Sequence, residues 1–140
     1  MRIIPIAEIM TADVVSVRDD ASLTNIDWEM ALAEVRHVPV VDARGAVVGI
    51  VSDRDLLRSM NRGDRSRVPV SAIMSASPAT VSVDAPAREA LEIMLAQKIH
   101  AVPVVDAAGT LAGIVTATDF LNLTYCALHG LPLDGRRARA

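Results

Sequence analysis

At 140 residues and 14.9 kDa, with 51% hydrophobic and 22% charged residues, the chain has the length and apolar material for a packed core, which excludes disorder as its main state. A net charge of −3 and a pI of about 5.5 give no general attraction to a polyphosphate backbone, and the 2% aromatics, Trp28, Phe120 and Tyr125, form no base-stacking platform, so a nucleic-acid partner is not expected. The longest uncharged run, 68–83, holds 16 residues with Pro69, Pro78 and four serines, too short and polar for a membrane-spanning helix of roughly 20 residues, and the lone Cys126 excludes an intrachain disulfide and points to the reducing cytoplasm.

At the start, Glu8 cuts the apolar stretch after Arg2 and no small-residue cleavage site follows cleanly, which argues against a signal peptide. The rest is written twice. His37-Val38-Pro39-Val40-Val41-Asp42-Ala43-Arg44-Gly45 returns 64 residues later as Ala101-Val102-Pro103-Val104-Val105-Asp106-Ala107-Ala108-Gly109. Over windows 36–57 and 100–121, 12 of 22 positions are identical, and Ile9-Met10, Asp20-Ala21 and Met30 recur at the same offset as Ile73-Met74, Asp84-Ala85 and Met94. Residues 3–60 read as a first copy, 61–67 as a polar linker solvated by default, 68–126 as a second copy and 127–140 as a C-terminal tail, frayed from Gly130 to Ala140.

Each copy begins with a short valine strand, 15–17 or 81–83, whose alignment calls for two residues gained before it and two lost after it in the second copy. A helix follows, with Asp20 or Asp84 expected as N-cap and Pro86 tolerated in its first turn. Leu23, Ile26, Met30 and Ala33 form one apolar stripe, as do Ala87, Ala90 and Met94. Trp28, Leu32 and Val35 widen the first stripe, which suggests burial of that helix on two sides. Two valine-rich strands come next, joined by Asp42-Ala43-Arg44-Gly45, a turn closed by a left-handed glycine. Pro39 and Pro103 lack an N–H and are expected at a strand start or where the ladder is open. A last helix closes each copy. Two units of about 60 residues hold marginal cores alone, so their apolar faces are expected to close across a pseudo-twofold axis.

At the last strand-to-helix corner stand Gly49-Ile50-Val51-Ser52-Asp53-Arg54-Asp55 and Gly113-Ile114-Val115-Thr116-Ala117-Thr118-Asp119. Two readings share this pattern. In one, Ser52 or Thr116 caps the helix, the acid three residues on sits in the first turn, and no ligand is needed. In the other, a helix start with free N–H groups and a hydroxyl holds a phosphate while the aspartate accepts bonds from vicinal ribose hydroxyls. Cys126 and His129 share a helix face by spacing, but ordinary packing is expected of them over a zinc or catalytic role. The recurring methionines are read as fillers of irregular core gaps. No nucleophile stands beside a base and an orienting acid, so catalysis is not expected.

The ordered set of Ile-Met-Thr/Ser, Val-Pro-Val-Val-Asp, glycine and Gly-Ile-Val-Ser/Thr-x-x-Asp, present twice over about residues 3–126, resembles tandem CBS domains, the Bateman module. The resemblance implies an α/β (α+β) fold of two pseudo-twofold related repeats, each strand-helix-strand-strand-helix. It implies a stand-alone, cytoplasmic regulatory module that takes an adenosine compound (AMP, ADP, ATP or S-adenosylmethionine type) in clefts between its repeats. It further implies a homodimer that signals through its conformation to an unknown effector protein, with no cofactor beyond that regulatory nucleotide, no metal and no membrane partner. Residue by residue, the ribose-binding acid falls on Asp55 and Asp119 and the family's hydroxyl on Ser52 and Thr116. The basic groups before the proline-containing strand fall on Arg36 and His37 in the first copy and His100 in the second. Arg54 is matched by Thr118, so cations concentrate on the first copy and one cleft is expected to bind better. With few aromatics, the adenine would lie among Val, Ile and Ala side chains. Ala101, Ala117 and Thr118 feed the alternative, a ligand-free oligomerisation scaffold with degenerate clefts.

Overall fold

A computed structural model describes residues 2–133. Along the chain run α1 (Ile6–Ile9), β1 (Val17–Arg18), α2 (Leu23–Ala33), β2 (His37–Val41), β3 (Val47–Ser52) and α3 (Asp53–Arg58). After 3-10 turns at Arg65–Arg67 and Val70–Ala72 come β4 (Ser75–Ala76), β5 (Val81–Ser82), α4 (Ala87–Gln97), β6 (Ala101–Val105), β7 (Leu111–Thr116) and α5 (Ala117–Leu128). Both copies therefore fold as strand, helix, strand, strand, helix, in a mixed α/β architecture. Positions 134–140 of the expected tail lie outside the described residues. Among the described residues no helix is long and apolar enough to cross a membrane.

Two compact units result, and neither consists of one sequence copy. One is built from 13–78 with 108–111, the other from the described parts of 1–12, 79–107 and 112–140. In the first unit the sheet order is β1-β2-β3-β4, with β1 parallel to β2 and the rest antiparallel. Its core is Val17, Leu23, Ile26, Met30, Val38, Val40, Val51 and Val70. In the second unit the order is β5-β6-β7, and Ile6 joins Val81, Ala90, Met94, Val102, Val104, Val115 and Phe120 in the core.

The exchange of leading segments has a plain cause. Ile6 and Val70 are fully buried, and each is tied by its N–H to the loop before a helix: Ile6 to the Ala85 carbonyl at 2.8 Å and Val70 to the Ala21 carbonyl at 2.7 Å. One residue pair further on, Ala87 donates to Ile4 and Leu23 to Val68. These ties keep the backbone extended past Asp20 and Asp84, which moves both helix starts. Ser22, not Asp20, caps α2, its hydroxyl accepting from the Asn25 N–H at 3.1 Å, and Pro86, not Asp84, precedes α4.

Strand pairing also corrects the alignment of the copies. Val17 lies opposite Val40 and Val81 opposite Val104, so Val17 matches Val81 at the common 64-residue offset and no insertion or deletion is needed. The shared Val-Ser-Val tripeptide misled because burial, not tripeptide identity, sets strand register. Pro39 sits within β2 opposite Ile50, and the parallel ladder to β1 begins only at Val40, so the missing N–H falls beside an open stretch of ladder. Gly45 and Gly109 adopt φ of 82°, the left-handed conformation the turns require. In the first turn, Asp42 Oδ1 accepts from the N–H groups of Arg44 and Ala46.

Two further expectations change. Trp28 and Leu32 do not bury α2 on a second side within the chain: they are 63% and 73% exposed. The linker is not merely solvated. Arg65 makes a bidentate pair with Asp27 at 2.8 and 2.9 Å and also donates to the Ser59 carbonyl at 2.9 Å and hydroxyl at 3.1 Å. That hydrogen-bonded carboxylate pushes the Arg65 pKa up, above its ordinary value.

Candidate functional site

In the first unit, the β2–β3 pairing sets His37 directly opposite Ser52, and the Asp53 N–H donates to the Arg36 carbonyl at 2.9 Å. Arg36, His37, Ser52, Arg54 and Asp55 therefore gather at one end of the hairpin, where α3 starts. Ser52 Oγ accepts from the Asp55 N–H at 3.2 Å, and Asp55 Oδ2 accepts from the Ser52 N–H at 2.8 Å, a reciprocal capping box. Two of the sequence-selected groups, Ser52 and Asp55, are thus fixed to each other by reciprocal side-chain-to-backbone bonds. Arg36 and Arg54 are exposed, and His37 is half-buried.

The capping reading is therefore realised in this corner, but it uses only one carboxylate oxygen. Asp55 Oδ1 has no hydrogen-bond partner among the described residues. A cap of this kind fixes the carboxyl plane and leaves its second oxygen able to accept. The expected free N–H groups at this helix start are not there. Asp53 donates to Arg36, Arg54 to Asp53 Oδ1 at 2.9 Å, and Asp55 to Ser52. Any phosphate held here would have to be met by side chains such as Arg54, not by the amides of α3.

The second unit repeats the corner with fewer groups. The Ala117 N–H donates to the His100 carbonyl at 2.9 Å, and Asp119 Oδ2 accepts from the Thr116 N–H at 2.8 Å and, weakly, from its hydroxyl at 3.4 Å. Thr116, Asp119 and His100 are thereby brought together. Asp119 is only 6% exposed, whereas Asp55 is half-buried. Ala117 offers no side-chain acceptor where Asp53 does, so the two helix starts differ in charge as well as burial.

Each corner has a feature that the motif alone did not assign. Gly49 and Gly113 have ordinary backbone angles, but their Cα atoms face a leading segment. A Cβ on Gly113 would stand 2.6 Å from the Thr11 carbonyl oxygen and 3.0 Å from the Met10 sulfur, and one on Gly49 would collide with Met74. Thr11 bonds Ile114 through both backbone groups, at 2.9 and 3.0 Å, as Ser75 and Ala76 pair with Ile50 and Gly49. Met10 and Met74 are thus lids over glycines, while Met30 and Met94 fill the cores. The signal was present as Ile-Met and Gly-Ile-Val recurring at one offset; nothing in the sequence said that each pair is formed across copies.

His129 stacks on Tyr125 with ring centroids 4.1 Å apart, and its Nδ1 lies 2.9 Å from the Tyr125 carbonyl oxygen. Among the described residues no group of three His, Cys, Asp or Glu side chains is placed to hold a metal ion.

The CBS domain profile matches residues 6–62 and 70–124. Inosine-5'-monophosphate dehydrogenase of Mycobacterium bovis is 33% identical over 128 residues, 91% of this chain, but the chain spans only 23% of that enzyme's length. Among solved structures, the CBS domain pair of protein MJ0100, in complex with 5'-methylthioadenosine and S-adenosyl-L-methionine, superposes with a TM-score of 0.82 at 24% identity, covering 90% of this chain and 99% of that one. That likeness concerns the fold. The CBS domain of a bacterial CNNM/CorC family Mg2+ transporter, in complex with ATP, is 29% identical with a TM-score of 0.76, each chain covered to 85%.

Proposed function

The chain belongs to the CBS domain family as a tandem pair, and from that premise we propose that it is a regulatory module that binds an adenosine compound of the AMP, ADP, ATP or S-adenosylmethionine type. Asp55 and Asp119 accept from the ribose hydroxyls, Ser52 and Thr116 contact ribose or phosphate, and Arg36, His37, Arg54 and His100 supply polar or cationic reach to the remainder. The adenine lies among aliphatic side chains and is read at its edge by backbone groups. The module carries out no reaction of its own: it works as a homodimer whose conformation responds to occupancy and is read by a separate effector protein. A ligand moves such an equilibrium only by its difference in affinity for the two conformations.

The observation that carries this reading is the duplicated corner, where a capping bond holds one carboxylate oxygen in place and, at Asp55, leaves the other without a partner among the described residues. The CBS pairs that bind ATP, or methylthioadenosine and S-adenosylmethionine, supply the ligand class. One observation favours the competing scaffold reading, namely that the first three amides of α3 are all satisfied internally. A thermal-shift panel separates the two. An adenosine compound at 100 times its dissociation constant stabilises the fold by about 2.7 kcal/mol through mass action. Asp55→Ala combined with Asp119→Ala abolishes the shift. No shift with any adenosine compound at millimolar concentration leaves the scaffold.

A further inference from the structure

The helix that carries the first corner is weakly held by its own packing. α3 has six residues, about 9 Å of helix, and none of them is fully buried; Leu56 packs partly against the core while Leu57 is exposed. A helix this short does not persist on propensity alone, so the end away from the cap needs a tether. Ser59, which ends it, is 2% exposed, and its hydroxyl donates to the Leu56 carbonyl at 2.6 Å and its N–H to the Asp55 carbonyl at 3.1 Å. Arg65 reaches this residue from the linker: Nη1 donates to the Ser59 carbonyl and hydroxyl, while Nε and Nη2 grip the Asp27 carboxylate. Asp27 stands on α2, whose Leu23, Ile26 and Met30 are buried in the core. The guanidinium thus braces the end of α3 against a helix that is itself fixed.

We propose that Arg65 is the positioning residue of the first corner: by holding Ser59 it sets where Asp55 presents its second carboxylate oxygen to the ribose. The inference rests on the ligand-binding reading above and adds the linker residue that governs the geometry of that site. The path is continuous, from Arg65 to Ser59, from the Ser59 N–H to the Asp55 carbonyl, and from Asp55 to Ser52 through the capping box. The second copy does not repeat it. At the common 64-residue offset, Asp27, Ser59 and Arg65 become Leu91, Leu123 and His129. There α5 runs for twelve residues and is fixed by Phe120 and Leu123 against the core, while His129 stacks on Tyr125. One corner is held by a polar brace from the linker and the other by apolar packing. A planar fork bonded to two elements at once resists rotation of α3 in a way that a single charge contact does not.

The test uses the full chain. In Arg65→Ala, hydrogen exchange at the Ser52 and Asp55 amides, both engaged in the capping box, should quicken about tenfold or more, with the Thr116 amide unchanged. AMP, ATP and S-adenosylmethionine are then titrated into an Asp119→Asn chain, where Arg65→Ala should weaken the compound that binds the first corner about tenfold. In an Asp55→Asn chain the same substitution should leave affinity at the second corner within about twofold. Val17→Ala, a truncation in the same core, should lower stability and move neither readout, which separates positioning from a general loss of stability. Should Arg65→Ala not fold, Arg65→Lys replaces it, with about threefold changes expected. Unchanged exchange at Ser52 and Asp55, an equal response at Thr116, or the same response to Val17→Ala overturns the brace. Ligand affinity at the first corner untouched by the loss of Arg65 overturns the inference and leaves the reading of the site standing. If none of the three compounds binds the wild-type chain, that reading falls, and the exchange rates still decide whether Arg65 positions Asp55.

Discussion

At the scale of single residues, glycine and aspartate carry most of the information. The spacing of Ser52 to Asp55 and of Thr116 to Asp119 is one helical turn, so the sequence alone was enough to pair a hydroxyl with an acid. It was not enough to say which bonds they make, because capping and ligand binding ask for the same two side chains. The two glycines before the corners are a different matter, since their need arises from residues distant in the chain. At Gly113 an added methyl would meet a backbone carbonyl held in a two-bond bridge, whereas at Gly49 the first obstacle is the flexible Met74 side chain. Gly113→Ala should therefore cost about 3 kcal/mol in chemical denaturation and Gly49→Ala about 1 kcal/mol, the usual range for overpacking. Equal losses would mean that the Thr11 segment yields as readily as a side chain.

At the scale of elements, what could be read was local. The Asp-x-x-Gly hairpins, the buried stripe of each long helix and the order of strands and helices all depend on residues close in sequence. The exchange of leading segments was not legible, because Ile6 and Val70 look like ordinary apolar residues before a polar stretch, and only tertiary pairing shows which sheet they complete. Ile6 lies outside every long element yet is fully buried, so Ile6→Ala should destabilise by about 2–4 kcal/mol, as a core truncation does. A loss below about 0.5 kcal/mol, the scale of a surface change, would show that the segment is dispensable. The linker misled in a similar way, since a polar run with three arginines and one glycine reads as solvated until Asp27 and Ser59 are found beside Arg65. Arg65→Ala leaves the buried Ser59 carbonyl without that donor and Asp27 without its partner, a loss of about 1–3 kcal/mol by thermal or urea denaturation. Arg65→Lys should restore only part, because an ammonium cannot reproduce the fork of bonds. Full recovery with lysine would reduce the contact to simple charge attraction.

For the whole molecule, duplication explains both what the chain shares with its relatives and what it keeps unequal. The same corner is built twice, but the first copy surrounds it with Asp53 and Arg54 and the second with Ala117 and Thr118, so the two corners should not bind alike. The central claim is that these corners, already capped, still accept an adenosine ligand through the carboxylate. The most direct measurement is calorimetric titration of AMP, ATP and S-adenosylmethionine into the wild-type chain and into a chain carrying Asp55→Asn and Asp119→Asn. An amide oxygen can keep the cap while the charge on the ribose is lost, and a hydrogen bond to a charged group is worth about 1.5–3 kcal/mol. Saturable binding of at least one of these compounds, weakened about tenfold or more in the asparagine variant at little change in melting temperature, is the predicted result. No heat of binding from any of them at millimolar concentration, or an affinity untouched by the two substitutions, would contradict it.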